Sequence, residues 1–507
     1  MSRVRRSIQQ IQSNYDSGMR TELENLIRAF RGIYQKPADD DNSFFKIAGY
    51  HGLPFRGPGT TNPNYWGGYC CHNNVLFPTW HRAQLYTLEN ALRSIPGCQD
   101  VTLPFWDECF DSGDGLHPIP AIFTQPTFNL DGRTDNPLFS YKLAEAVSEN
   151  IEGDGFNYSK PVGYETVRHP LSGMVATEKD KQHAAFLAQT YSPEQRTNEL
   201  NKEVSNWLNP TRTDITSVRR QFKNCLLAPN YTAFSNRKSA QHWNQRKHDT
   251  VVALEVPHNG IHLAVGGNLG DMAHSETAGF DPIFFFHHCF IDYVFWTWQK
   301  IQHRTTAGSL SVQRALDGME FAGTKLDTGM PNMEKDQPLT MDTPLNPFMK
   351  SNRKPYTSND VTDIADLGYS YGPGSLDPTK KSFLVAPQEP PRIVRFKRIH
   401  NISRADHPGS FVVHLYAKGP GQDTPLEINK DAIFSRWNVS NCRNCVDKLA
   451  VSSMVAIDEQ LERSLRGNGR NEDIKYWVEI ETATEVLKFP PGEGPIIDDI
   501  PVRTSSL

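Results

Sequence analysis

Two sets of histidines stand at spacings that suit metal ligation. His258 and His262 are four residues apart in Glu255-Val256-Pro257-His258-Asn259-Gly260-Ile261-His262. The pair His287-His288 closes Phe280-Asp281-Pro282-Ile283-Phe284-Phe285-Phe286-His287-His288. Residues four apart on a helix share a face, so His258 and His262 can hold one ion. An imidazole from the 287–288 pair completes a three-histidine set. Neighbouring helical residues point about 100° apart, so the two do not both serve one ion, and spacing does not choose between them. Upstream, His51, His72 and His81 form a second trio without a carboxylate at ligand spacing. Magnesium and calcium take oxygen ligands, and di-iron carboxylate centres need glutamates among the histidines. Sites of imidazole alone suit copper or, less specifically, zinc. Asn259 stands where a zinc protease has its glutamate base, which argues against metal-assisted proteolysis. Seventeen histidines dilute any single one; the weight lies in the combination.

Helices must position these groups. Residues 20–34 form an amphipathic helix, with Leu23, Leu26, Ile27 and Phe30 on one stripe. A short apolar run, Phe44 to Tyr50, ends at His51. Residues 52–71 are rich in Gly and Pro and irregular. His81 opens a helical pattern through Leu85, Leu88 and Leu92 that Pro96-Gly97 stops. Residues 110–250 are polar and broken by Pro and Gly, and read as loops and short helices. Residues 250–264 form a helix ended by Gly266-Gly267. Residues 283–302 form an apolar, deeply buried helix. After Ala386-Pro387-Gln388-Glu389-Pro390-Pro391, a stiff linker, the periodicity changes to that of strands: 393–399, 411–416 and 476–480. The expected fold is mainly α, a helical bundle around a paired metal site, followed by a smaller β-rich domain. The expected units are 1–372, a linker 373–391, and 392–507.

The chain has 507 residues, is 37% hydrophobic and carries a net charge of −5. That length holds roughly two or three units. Interspersed charges leave no nucleic-acid footprint and no basic membrane surface. No run approaches the roughly 20 apolar residues of a membrane helix, and the basic start has no apolar core after it. A cytoplasmic location is expected, and there the eight cysteines are not read as a disulfide framework.

Several stretches resemble the tyrosinase family of type-3 copper proteins, which includes catechol oxidases and molluscan-type haemocyanins. Phe77-Pro78-Thr79-Trp80-His81-Arg82 is similar to the third-ligand motif at copper A, and Leu103-Pro104-Phe105-Trp106-Asp107 to the motif that follows it. Asn136 to Tyr141 resembles fungal-type members. Asp281-Pro282-Ile283-Phe284 through Asp292 and Trp298-Gln299 resembles the copper B third-ligand segment, and Tyr369-Ser370-Tyr371 the end of the catalytic domain. The resemblance implies two copper ions, with His51, His72 and His81 on copper A and His258, His262 and His288 on copper B. It implies a phenolic small molecule and dioxygen as partners, and no nucleic acid or membrane. The oligomeric state stays open, a homo-oligomer included.

The implied reaction is hydroxylation of monophenols and oxidation of o-diphenols to o-quinones. The alternatives are a catechol oxidase without the first step and a haemocyanin-like carrier. In the family, Cys70 is the position for a thioether to His72. Residues matching Glu255 and Asn259 are proposed to orient a water that takes the phenolic proton. Ser275 stands where some plant catechol oxidases put a bulky Phe, so it leaves access open. His274 reads as a surface residue in the first place and otherwise as a polar group near the substrate entrance. Tyr293 replaces the family's usual Arg beside Asp292, which puts the usual ion pair there in doubt. A C-terminal domain in this family can plug the pocket until it is displaced, and Phe434 and Trp437 are the candidates here. Cys442 and Cys445 resemble a pair proposed to load copper, which thiolates suit.

Overall fold

The computed structural model describes residues 3–55, 67–111, 113, 117–150, 157–209, 217–247, 249–326, 334–378, 393–437, 439, 449–467, 473–490 and 493–501. Five helices carry or brace the histidines. Helix α1 (Thr21–Tyr34) buries Leu23, Leu26, Ile27 and Phe30. Helix α2 (Phe44–Gly49) is capped by Ser43, whose hydroxyl accepts the Lys46 N–H; His51 stands two residues beyond its end. Helix α3 spans Phe77–Arg93, four residues earlier than the apolar pattern suggests. Pro78 lies in its first turn, where a ring with fixed φ and no N–H costs nothing, so His81 sits in the second turn. Helix α4 (Glu255–Gly266) carries His258 and His262. It begins at Glu255 and not at 250. Helix α5 (Ile283–Ile301) is apolar on nearly every face and packs against α3, as an all-round hydrophobic helix must.

The section 110–250 holds longer helices than its composition suggests. Glu178–Thr190 and Pro193–Leu208 run 13 and 16 residues. Thr177 with Asp180, and Ser192 with Gln195, form reciprocal capping boxes that satisfy N–H groups a helix start otherwise orphans. The second of these helices packs against α4. Helices Val218–Cys225 and Arg237–Lys247 follow.

Strand β1 (Arg3–Arg5) pairs in parallel with β2 (Tyr369–Tyr371), joining the two ends of the helical unit. This pairing frames a buried hub. The Asp292 carboxylate on α5 accepts from Arg82 Nε at 2.5 Å, Tyr369 OH at 2.9 Å and Tyr371 OH at 2.6 Å, with Arg5 Nη1 at 3.5 Å. The ion pair that Tyr293 cannot form is supplied by Arg82 and Arg5. Tyr293 instead stacks on Phe105, centroids 4.7 Å apart.

The C-terminal region forms two antiparallel sheets. One has the order β6 (Ala450–Asp458), β3 (Ile393–Ser403), β9 (Ile496–Pro501); the other has β5 (Leu426–Ile433), β4 (Phe411–Lys418), β7 (Lys475–Glu481), β8 (Val486–Lys488). Side chains alternate along a strand. Phe411, Val413 and Leu415 therefore enter the region's own core, while Val412 turns to the helical core, which Ala432 and Phe434 also join. The fold is mainly α around the histidines, with a smaller β-rich region laid against it.

Candidate metal centre

The two histidine sets form two clusters: His51, His72 and His81, and His258, His262, His287 and His288. In each cluster one ring nitrogen per residue lies within 4.8 Å of the others. His81 Nδ1 donates to Phe77 O at 2.8 Å and His262 Nδ1 to Met272 O at 2.7 Å. A carbonyl only accepts, so the proton sits on Nδ1 and Nε2 presents a lone pair. His258 Nδ1 meets Asn259 Oδ1 at 2.9 Å. The Nε2 atoms then converge, His262 to His258 at 3.1 Å and His258 to His288 at 3.3 Å.

Burial keeps these rings neutral. It holds His81 down to about 3 and His262 to about 4, and pushes His51, His258 and His288 well below the usual imidazole range. Neutral imidazoles aiming lone pairs at one point repel unless a cation lies between them. Nitrogens about 2.0–2.1 Å from a tetrahedral ion stand about 3.3 Å apart, and the spacing of His258 from His262 and His288 fits that. His51 has both ring nitrogens buried without a hydrogen-bond partner, and His81 Nε2 likewise, as ligands for an ion would. The clusters adjoin: His81 and His288 stack with centroids 4.2 Å apart, and His72 and His258 lie 5.5 Å apart.

His287 is also anchored through Nδ1, by a carboxyl where His81 and His262 have carbonyls. Its Nδ1 lies 2.6 Å from Glu108 Oε1, both side chains fully buried, and burial pushes the Glu108 carboxyl well up. Glu108 follows the Leu103–Asp107 motif, and nothing in its spacing to the histidines marks it. His288 Nε2 makes the nearer approach to His258.

Glu255 is buried at the start of α4. Its Oε1 accepts the Asn73 N–H at 2.8 Å and its Oε2 the Arg237 N–H at 2.9 Å. It therefore ties the loop holding His72 to the helix holding His258, a clamp that the sequence did not disclose. Ser275 packs through its backbone: a Cβ on Gly52 would stand 2.6 Å from Ser275 O, so only glycine after His51 lets the two loops touch. Cys70 is half-buried, its Sγ 3.9 Å from Gly67 O. Cys442 and Cys445 lie outside the described residues.

His274 is fully buried, not a surface residue. Its Nδ1 bonds Tyr158 OH at 3.1 Å, and Trp437 meets its ring edge-on at 5.4 Å. Trp437 is therefore packed beside His274. The ring over the histidines is Phe434, with centroids 4.3 Å from His262, 5.6 Å from His72, 6.3 Å from His258 and 6.4 Å from His51.

Charged contacts hold this cover down. Arg237 pairs with Asp431 through two bonds, 2.7 and 2.6 Å. Arg436 pairs with Glu149 and lies 3.8 Å from Glu276. Burial pushes the Glu276 carboxyl up to about 7 against the opposing pull of Arg436. These partners are far apart in sequence, and no local pattern announces them.

Residues 41–301 match the family model described as the common central domain of tyrosinase. Tyrosinase HcTyr2 of Hahella sp. is 41% identical, over 94% of this chain and 91% of that protein. The tyrosinase of Aspergillus oryzae is 38% identical, over 89% of each. A solved tyrosinase from Burkholderia thailandensis shares the fold with a TM-score of 0.81 and 39% identity, over 95% of both chains. With such likeness along nearly its whole length, including the region that covers the histidines, the chain belongs to the tyrosinase family, copper oxidoreductases that bind two copper ions.

Proposed function

We propose that this chain is a latent tyrosinase that hydroxylates monophenols and oxidises o-diphenols to o-quinones with dioxygen. The observation that carries the latency is Phe434, an aromatic ring seated over both histidine clusters. A phenol reaching the same nitrogens would have to take that space. His51, His72 and His81 would hold one copper ion, and His258, His262 and His288 the other. The copper pair supplies the redox chemistry with dioxygen when bound. The protein's own side chains fix six neutral imidazoles and exclude water around them.

Glu255 and Asn259, four apart on α4, are assigned to a water that takes the phenolic proton. Ser275 keeps the entrance free of a bulky side chain. Cys70 is assigned a thioether to His72, which an intact mass lower by two hydrogens would reveal. Cys442 and Cys445 are assigned to copper loading. The catalytic unit is placed at 1–372, the linker at 373–391 and the cover at 392–507, and the protein in the cytoplasm.

The test is oxygen uptake by the copper-loaded protein with a monophenol and then an o-diphenol, before and after limited proteolysis in the linker. Uptake with both that rises on cleavage supports the reading. Uptake with the diphenol alone would make the protein a catechol oxidase. Reversible oxygen binding without turnover would make it a carrier.

A further inference from the structure

The cover seats more than a ring in the pocket. Two residues after Phe434, Arg436 is only 4% exposed and reaches Glu149 and Glu276, each 1% exposed. The cover therefore presents an aromatic ring to the histidines and a cation to two carboxylates. The two side chains mark an apolar position and a cationic position in the covered pocket.

We propose that Glu149 and Glu276 form the recognition site for a cationic substituent, so that the uncovered enzyme selects phenols bearing an ammonium group on a short alkyl chain over phenols bearing a carboxylate. The inference rests on the tyrosinase reading of the same site.

Three observations support it. First, the pair offers two acidic groups to a single cation. One guanidinium faces two carboxylates, and the nearby Lys160 is held by Asp271 at 2.5 Å. Burying such charge is costly unless it is paired, and uncovering the pocket removes the cation that pairs it. Second, Arg436 fits incompletely. Glu149 Oε1, Glu276 Oε2, Arg436 Nε and Arg436 Nη1 are all buried without a hydrogen-bond partner. A planar fork has a fixed geometry, whereas an ammonium has three rotatable donors and can meet both carboxylates. Third, both acids are on the catalytic side and fixed. The Glu276 carbonyl accepts the Leu53 N–H at 2.9 Å, two residues after His51. Glu149 stands opposite Tyr158 in a hairpin, and the Tyr158 hydroxyl binds His274 and Thr277. Their backbones belong to the helical region, while their carboxylates bond Arg436 and Trp437 of the cover.

The experiment uses the copper-loaded full chain, uncovered by limited proteolysis and, separately, by the paired substitutions Phe434→Gly and Arg436→Gly. The probes are 4-(2-aminoethyl)phenol, 4-ethylphenol and 3-(4-hydroxyphenyl)propanoate, which differ chiefly in charge. The expected kcat/KM order is amine, neutral, acid, with amine over acid by about tenfold or more, carried mainly in KM and reduced by added salt. Glu149→Gln with Glu276→Gln should bring the ratio to within about threefold. Because the ratio is taken within one enzyme, a shared loss of copper or of folded protein cancels. If that pair does not fold, Glu149→Gln alone should still lower the ratio. A ratio near one or favouring the acid in the parent, or a ratio unchanged in the variants, overturns the inference. Turnover of neutral 4-ethylcatechol tests the tyrosinase reading separately: its absence sinks that reading, whereas its presence without charge preference overturns only this one.

Discussion

The Phe434 ring lies 4.3 Å from the His262 imidazole, centroid to centroid and inclined by 32°. One side chain of the β-rich region thus occupies the space above an imidazole of the helical region. Removing that ring should wake the uncleaved protein. Phe434→Ala is expected to raise diphenol oxidation by the full chain by about tenfold or more, and to cost about 3–5 kcal/mol of stability as a large-to-small change in a packed core. Oxygen uptake and thermal unfolding measure the two effects. No gain of activity in folded, copper-loaded protein would show that Phe434 is not the barrier.

Arg237 and Asp431 join the two regions through a bidentate pair, their side chains 5% and 10% exposed. Arg237→Ala leaves a buried carboxylate unpaired, a loss of about 3–5 kcal/mol. The cover should be cleaved faster in limited proteolysis, and the uncleaved chain should gain activity. Arg237→Lys should rescue poorly, because an ammonium does not reproduce the fork.

Glu255 accepts backbone N–H groups from Asn73 and Arg237. In Glu255→Gln one of those N–H groups meets an amide NH₂. The cost should be about 1–3 kcal/mol for a buried donor left unsatisfied. The His72 loop should loosen, and copper content after dialysis should fall. Full copper retention with unchanged thermal stability would contradict the clamp.

His288 and His287 should differ as ligands. His288→Ala is expected to lower copper from two ions per chain to about one, because three protein ligands make an open catalytic metal site. His287→Ala should retain more copper, since it is His288 whose Nε2 stands 3.3 Å from His258 Nε2. Elemental analysis of both variants decides, and equal losses would reverse the assignment.

The stability of the cover should also depend on pH through Glu481. Its carboxyl is held down to about 2, first by the His414 hydrogen bond and also by one from Asn268 of the helical region, against burial. Burial pulls His414 down, but bonds to Glu427 and Glu481 outweigh it and raise the imidazole above 6.5. Glu481 therefore contributes above its ordinary 4.5, and that contribution is lost as pH falls from 4.5 towards about 2. The His414 contribution is full below 6.5 and is lost as pH rises through the raised value. Protease release of the cover should accelerate below pH 4.5, and Glu481→Gln should flatten that acid limb.

By itself the sequence determined the elements with periodic signals and the chemistry of the centre. The apolar stripes of α1 and α5 and the alternating strands after the linker are local patterns, and local patterns survive in one dimension. His258 and His262 are legible as a pair because helix pitch fixes their face. Capping boxes at Thr177 and Ser192 were also written in the chain but hidden among polar residues. Only the tertiary structure decided how Glu255 bridges the two histidine segments, why His274 is buried, and that Phe434 and not Trp437 covers the centre. The Asp292 hub, the Arg237–Asp431 clamp and the Arg436 site join residues from 77 to 287 positions apart. Such pairs are set by packing and by the need to neutralise buried charge, and no spacing along the chain records them.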